Sequence, residues 1–456
     1  MDRSGSRFKS GNPIVGIGLA GGRGERARTL TVKAPGYLRS KAAMSFLGRR
    51  LVRWILEILT EQGMDQYYIV AHGKENRYQI KMIVEHGEPL GVRLRYSRVK
   101  FDALNTGSAD ATLRNAAYWD LRGTVLVFPT DSIIDFDLGA MAEAHARSNA
   151  LVTIGAMVRP PMEVAGKYGV MLTEPDWHIS EFVEKPSLGE IRDAFPAPSE
   201  EDFDRIPLLT NAGFYLVDME RLREIAEHPD VEAMAERRLD FGLDLLPWLV
   251  GKGQPVYAYP VDRIGDLGNV PDYIESMVDA LRGRFESVTR LLGEMHDPDR
   301  NVWIPSESLL MRDAHAHTTL EEKIRRGQVE IGPGVRIGKY SEVRIGATLQ
   351  DCSVDDGCEV HEGATVVRSA VRDGATIGQG ARVVDSYIGS MAEVRSSMVK
   401  PTVVEDFCAV GDEVILQPGV YLSDNVSLYP RVRVPSGAQI PAGAEIRSAD
   451  DVMKFL

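Results

Sequence analysis

Three aliphatic series in the last third of the chain share one spacing. Val354, Val371 and Ile388 are 17 residues apart, as are Val360, Ile377 and Val394, and Leu349, Val366 and Val383. Ahead of them, Ile331, Ile337, Val343 and Leu349 recur every six residues. A fixed period of this length marks a solenoid. One turn of a three-sided parallel β-helix takes three hexads, each side pointing one aliphatic residue inward while small or turn-forming residues serve the corners. A 17-residue turn is that coil with one corner position removed. A β-sandwich of short strands is the competing fold, and nothing in it requires three interleaved series at one spacing. The pattern fades after Pro401 and returns at Val426, Ile440 and Ile446.

The front of the chain has a different texture. Short apolar runs at Pro13–Leu19, Tyr67–Val70, Thr124–Phe128, Leu151–Val158 and Gln254–Tyr259 read as strands, several separated by helical stretches. Leu51, Trp54, Ile55, Ile58 and Leu59 share one helical face. Such alternation over residues 13–285 predicts an α/β domain with a mainly parallel sheet covered on both faces. Residues 286–327 are poorly periodic and read as a linker with one or two short helices, leaving 328–456 for the β-helix. Pro196–Asp204, acidic and aperiodic, reads as a surface insertion. Residues 1–12 are polar and lack the apolar stretch of a signal peptide. With 456 residues, two or three units are expected.

Charge and cysteine usage narrow the function. A net charge of -13 argues against nucleic-acid binding. Cys352, Cys358 and Cys408 form no Cys-x-x-Cys pair and are too few for a disulfide framework, which fits a reducing cytoplasm. No apolar run has the ~20 residues of a membrane span, so no membrane partner is expected.

Gly16-x-Gly18-x-x-Gly21 after a strand matches the dinucleotide fingerprint, which also needs an acidic residue about 20 positions on. Residues 28–53 contain neither Asp nor Glu. The arginines there leave an NADP site as the rival reading. Gly21-Gly22-Arg23-Gly24-Glu25-Arg26 suits another purpose: successive glycines let backbone N–H groups approach phosphate oxygens, and Arg23, Arg26 and Arg28 add positive charge in an acidic protein. A solvated basic loop is the plainer alternative.

Leu19–Arg26 resembles the signature of the sugar-1-phosphate nucleotidyltransferases. The likeness continues in order through Thr31, Lys41–Phe46, Gly107–Ala111, Asp131, Tyr168–Val170, Glu181–Pro186, Asn211–Gly213, Asp240–Gly242 and Asp266–Gly268. A β-helix tail is also a feature of this family. The resemblance implies a Rossmann-like nucleotidyltransferase domain followed by a left-handed parallel β-helix of hexapeptide repeats. It implies the reaction of an NTP with a sugar-1-phosphate to give an NDP-sugar and pyrophosphate, with Mg²⁺ as cofactor. Gly21, Gly22, Gly24, Arg26 and Gly107 would bind the nucleotide. Arg26 and Lys41 would stabilise the triphosphate, and Asp131 and Asp266 would hold the metal. Lys185 would take the sugar phosphate and Glu184 the sugar hydroxyls, with Gly169, Asn211 and Asp240 around them.

The chain departs from the family pattern in three places. Lys41 lies ten residues after Thr31, with Gly36–Ser40 as an apparent insertion and Lys33 as the competing signature lysine. Ala42 follows that lysine where the family has proline, and Thr130 precedes the metal aspartate where the family has glycine. The loop motifs resemble ADP-glucose pyrophosphorylases, whereas Glu184–Glu190 and the 17-residue turns resemble GDP-mannose pyrophosphorylases. Adenylyl transfer to a hexose-1-phosphate is slightly favoured. Guanylyl transfer, a cyclitol phosphate acceptor and a non-catalytic regulatory subunit remain open. An acyltransferase site in the coil would have to use His361. A homo-oligomer, dimer or tetramer, is expected, because residues 420–422 and 426–430 offer more apolar side chains than the 17-residue pattern places inside the coil, which predicts an outward stripe.

Overall fold

The computed structural model describes residues 13–21, 28–34, 37–101, 107–195, 199–313 and 317–455. The chain divides into two units, one formed by Met1–Gly22 with Val52–Ile264 and the other by Arg23–Leu51 with Gly265–Leu456.

The first unit is built on nine strands: β1 (Val15–Ala20), β2 (Gln66–Ala71), β3 (Arg93–Tyr96), β4 (Thr124–Pro129), β5 (Val152–Arg159), β6 (Val170–Thr173), β7 (Ile179–Val183), β8 (Leu208–Asp218) and β9 (Val256–Pro260). They run in the order β7-β6-β8-β4-β1-β2-β3, and β5 pairs with both β8 and β9. The β4-β1-β2-β3 half is parallel, as the strand–helix alternation predicts. β8 enters antiparallel to β4, β5 and β6, making the whole sheet mixed. Helix α1 (Leu51–Glu61) buries Trp54, Ile55, Ile58 and Leu59 completely, the face marked by its apolar spacing.

Gly16 and Gly18 lie inside β1 rather than in a phosphate loop. A Cβ on Gly16 would stand 2.9 Å from Met64, Tyr67 and Phe128 side chains, and one on Gly18 would stand 2.8 Å from Ile69. Close packing of neighbouring strand side chains explains both glycines, so the dinucleotide fingerprint loses its physical basis here. The acidic stretch 196–204 also differs from expectation. Among its described residues, Glu200–Phe203 is a helical turn that buries Phe203 with Val164, Val170, Ile191 and Leu208.

The second unit contains the repeat. Its short strands stack into three parallel sheets of eight, seven and six strands, the faces of the expected left-handed β-helix. Ile337, Val354, Val371 and Ile388 are ladder partners, as are Leu349, Val366 and Val383, with almost no exposure. The missing corner position lies between the seven-stranded and the eight-stranded sheet: Asp351, Arg368 and Asp385 turn it with φ of 49°, 45° and 44°. The coil does not end where the periodicity fades. Val383 pairs with Val404 and Val394 with Leu416, across a longer excursion at 395–402. After it the partners Val404–Leu422–Ile440 and Val410–Leu428–Ile446 are 18 residues apart.

The restored corner position explains why a 17-residue template lost the repeat. It also narrows the expected stripe: Val420, Leu422, Val426 and Leu428 point into the coil, while Tyr421 and Tyr429 are left half-buried. Among the described coil residues, Met391, Met398 and Val399 are exposed apolar side chains, as are Tyr340, Ile345 and Met453. The three cysteines are buried coil residues and unpaired.

Candidate active site

Four of the sugar-side residues meet in the first unit. The Asn211 backbone N–H donates to the Gly169 carbonyl at 2.8 Å, joining the start of β6 to β8. Glu184 follows β7 and sends its carboxylate under both loops. A Cβ on Gly169 would come within 2.6 Å of Glu184 Oε2, and so would one on Gly242. Both glycines therefore make room for this carboxylate. Glu184 Oε2 is buried without a hydrogen-bond partner among the described residues. Lys185 Nζ stands 3.7 Å from Oε1. Burial pushes the Glu184 carboxyl above its ordinary range, the Lys185 ammonium pulls it back, and the Asp240 carboxylate raises it further. A buried acceptor left open next to a lysine is suited to a ligand carrying a hydroxyl donor beside an anionic group.

Lys185 itself has a left-handed backbone, φ 49°, held by its N–H to the Tyr168 carbonyl at 3.2 Å and by Gly166 N–H to the Pro186 carbonyl at 2.9 Å. A non-glycine residue in that region persists only where its surroundings fix it. Its side chain is half exposed beside Glu184.

Asn211 and Asp240 have their side chains engaged within the protein. Asn211 Oδ1 accepts from Gly213 N–H at 2.8 Å, and its Nδ2 donates to the Tyr215 hydroxyl at 3.1 Å. Tyr215 in turn stacks on Phe241, ring centroids 4.7 Å apart. Asp240 Oδ1 accepts from the Ser108 N–H at 2.9 Å and hydroxyl at 3.2 Å, and Oδ2 accepts from Arg238. Ser108 opens helix α2 (Ser108–Tyr118), so Asp240 acts as a cap supplied from another part of the chain. Ser108 Oγ then accepts from Phe241 N–H at 3.0 Å. Gly107, with φ 107°, lies so close to this loop that a Cβ would sit 2.4 Å from the Leu239 carbonyl oxygen. Sequence reasoning left out Ser108, Gly242 and Tyr215. All three lie in or beside the motifs, but their pairing is tertiary.

Gly21 and Asp131 follow adjacent strands at the carboxyl edge of the sheet, where open α/β sheets take ligands. Leu19 is the ladder partner of Pro129, and both Thr130 N–H and Thr130 Oγ1 donate to the Leu19 carbonyl at 3.1 Å. Thr130 stands where the family pattern has glycine, and its side chain turns toward β1. It is buried, and its methyl fills the space above Gly18, 3.0 Å from where a Cβ would be. Gly22, Gly24 and Arg26 lie outside the described residues.

The second unit brings Lys41 and Asp266 together. Asp266 Oδ1 accepts from Gly268 N–H at 2.9 Å. A Cβ on Gly268 would be 3.0 Å from Asp266 Oδ1 and 3.9 Å from Lys41 Nζ, so both charged groups converge on that glycine. The apparent insertion before Lys41 folds back on itself. Val32–Ala34 pairs antiparallel with Tyr37–Leu38, and Arg39 N–H returns to the Thr31 carbonyl at 2.6 Å. This brings Arg39, two residues before Lys41, back to Thr31. His361 bonds Glu359 at 2.9 Å on the surface of the coil, the behaviour of a solvated residue.

The nucleotidyl transferase family model matches residues 15–283. A glucose-1-phosphate adenylyltransferase of Alteromonas mediterranea is 29% identical over 330 residues, which are 68% of this chain and 69% of the relative. A UTP–glucose-1-phosphate uridylyltransferase of a Synechocystis species is 29% identical over 282 residues, 59% of this chain and 64% of the relative. Glucose-1-phosphate adenylyltransferase 2 of Pseudoalteromonas atlantica is 31% identical over 253 residues, 53% of this chain and 56% of the relative. With more than half of its length matched by the family model and the motifs in order, the chain belongs to the nucleotidyl transferase family, among the sugar-1-phosphate nucleotidyltransferases.

Proposed function

We propose that this chain transfers an adenylyl group from ATP to a hexose-1-phosphate, releasing pyrophosphate. The observation that carries the reading is the cradle at Gly169, Glu184 and Lys185, with a buried carboxylate oxygen left open beside a lysine. A sugar hydroxyl would donate to Glu184 Oε2, and the sugar phosphate would pair with Lys185. The adenylyl preference rests on the adenylyltransferase relatives. Uridylyl transfer is the second reading, favoured by the Synechocystis relative.

The attacking sugar-phosphate oxygen is already ionised at neutral pH, so no general base is needed. It displaces pyrophosphate as the bond between the α- and β-phosphates breaks, and the main obstacle is repulsion between anions. Cations and positioning supply the catalysis. Lys41 and Arg26 face the triphosphate in this reading, with Gly21, Gly22, Gly24 and Gly107 offering close backbone approach. Asn211 and Asp240 act by shaping the loops that carry the contact residues. Asp131 and Asp266 offer hard oxygen donors of the kind Mg²⁺ prefers, and the described residues contain no cluster of three or more metal-ligating side chains. When bound, the ion offsets negative charge on the phosphates.

We assign the catalytic domain to 13–285, the linker to 286–327 and the β-helix to 328–456; residues 1–12, expected from the sequence to be a flexible tail, lie outside the described residues. No helix among the described residues is long and apolar enough to cross a membrane. A cytoplasmic homo-oligomer, dimer or tetramer, completes the proposal, with Met391, Met398 and Val399 as its candidate contact residues. The decisive assay is magnesium-dependent pyrophosphate release with ATP, UTP and GTP against several hexose-1-phosphates. Release that is faster with UTP or GTP than with ATP overturns the adenylyl assignment, and no release with any pair overturns the enzyme reading.

A further inference from the structure

Within the second unit, the segment carrying Lys41 is anchored to the β-helix at several points. Arg39 Nη2 pairs with Asp412 Oδ2 at 2.8 Å, and the two side chains are only 7% and 13% exposed. Asp412 is itself fixed on the coil, where its Oδ1 accepts from Ser390 N–H at 3.0 Å. Lys41 begins a single tight turn two residues after Arg39, closed by Ala43 N–H to the Ser40 carbonyl and Met44 N–H to the Lys41 carbonyl, each 2.9 Å.

The far end of the segment is held by helix α3 (Val270–Leu281). Tyr273 on this helix donates its hydroxyl to the Ser45 carbonyl at 2.8 Å and sets its ring edge-on to Phe46. The same ring also meets Tyr387 of the coil, ring centroids 5.5 Å apart. Gly48, φ 77°, has no room for a Cβ against the Arg336 guanidinium of the coil. The coil carries the buried pair Arg372–Asp355, with Arg336 also donating to Asp355 at 2.9 Å.

We propose that Arg39 and Asp412 are positioning residues for Lys41, so that the β-helix aims the lysine. The proposal rests on the reading of Lys41 as a catalytic group. Three features support it. Arg39 belongs to the extra residues that separate Thr31 from Lys41. Its partner lies 373 positions away on a rigid solenoid. The ammonium of Lys41 converges with the Asp266 carboxylate on Gly268. A lysine on a flexible four-carbon stem has its reach set by its backbone. A misplacement of about 1 Å at such a group can cost about 10²-fold in rate.

The test uses the full chain, with turnover and Michaelis constants for ATP and glucose-1-phosphate measured separately and folding checked by thermal melting. Arg39→Ala and Asp412→Ala should each lower kcat by about 10²-fold, with the glucose-1-phosphate KM staying within about threefold. The double variant should be no slower than the slower single, because both changes break one contact. Lys41→Ala is measured in parallel. A kcat within about threefold of the parent for Arg39→Ala, alongside an impaired Lys41→Ala, overturns the positioning role. So does a double variant whose loss is the product of the two singles. Normal turnover by Lys41→Ala overturns the lysine assignment and this proposal with it. If the alanine variants melt early, Arg39→Lys and Asp412→Asn decide. The charge-keeping lysine should retain at least about tenfold more turnover than the asparagine variant, and equal turnover overturns the proposal.

Discussion

Replacing Glu184 by glutamine should stabilise the ligand-free protein while weakening its hold on the sugar phosphate. Among the described residues the parent keeps one carboxylate oxygen buried and unpartnered, and the side chain is 14% exposed. A buried polar group without a partner costs on the order of 1–3 kcal/mol, and a charged one more, partly offset here by Lys185 at 3.7 Å. Glutamine keeps the shape and removes the charge, but its amide still lacks a full set of partners. A net gain of about 1 kcal/mol is therefore expected, or about 2–4 °C in the melting temperature of a domain of this size.

The pH dependence gives the sign. Burial raises the folded carboxyl above its ordinary value of 4.5. The ionisation cost is absent below that value and fully present above the raised one. The advantage of glutamine should therefore appear as pH rises past 4.5 and be complete once the pH exceeds the raised value. Melting of parent and variant without substrate, at the two ends of that range, measures it. The glucose-1-phosphate KM should rise about tenfold, as expected for a weakened hydrogen bond to a charged acceptor. A variant less stable than the parent at high pH, or a difference that does not change with pH, refutes the reasoning.

Three further outcomes are expected. Gly107→Ala should destabilise the protein by about 2–4 kcal/mol, because a φ of 107° and a Leu239 carbonyl at 2.4 Å leave no cheap adjustment; an unchanged urea midpoint counts against this. Asp131→Asn and Asp266→Asn should each lower kcat by at least about 10²-fold while leaving the melting temperature within about 2 °C. Near-parental turnover in either removes that residue from the metal site. Lys185→Ala should raise the sugar-phosphate KM by about 10–100-fold and the ATP KM by less than about threefold, and equal rises for both substrates would place the lysine elsewhere.

Periodicity and motif order carried far in this chain. The three aliphatic series determine a coil because an inward side chain must recur once per face per turn, and no tertiary information is needed to count that spacing. The spacing of α1 and the strand runs fix the α/β class for the same reason: burial is a local property of alternation. Where the repeat changed from 17 to 18 residues at a restored corner, a fixed template lost it, so residues 420–422 and 426–430 read as a surplus of apolar side chains although Val420, Leu422, Val426 and Leu428 fill the coil.

Only the tertiary structure decided which side chains already have partners within the protein. Asn211 and Asp240 resemble Glu184 in the sequence as polar residues in a motif, yet their oxygens are taken by Gly213, Ser108 and Arg238, while Glu184 Oε2 is left open. Gly16 and Gly18 match a phosphate fingerprint, yet side chains from β2 and β4 account for them. Lys41 is separated from Thr31 by an apparent insertion, yet a hairpin returns Arg39 to Thr31, and Asp412 of the coil holds it there. Each of these outcomes depends on partners distant in the chain. A sequence displays which donors and acceptors exist, but only the fold determines which of them are already satisfied.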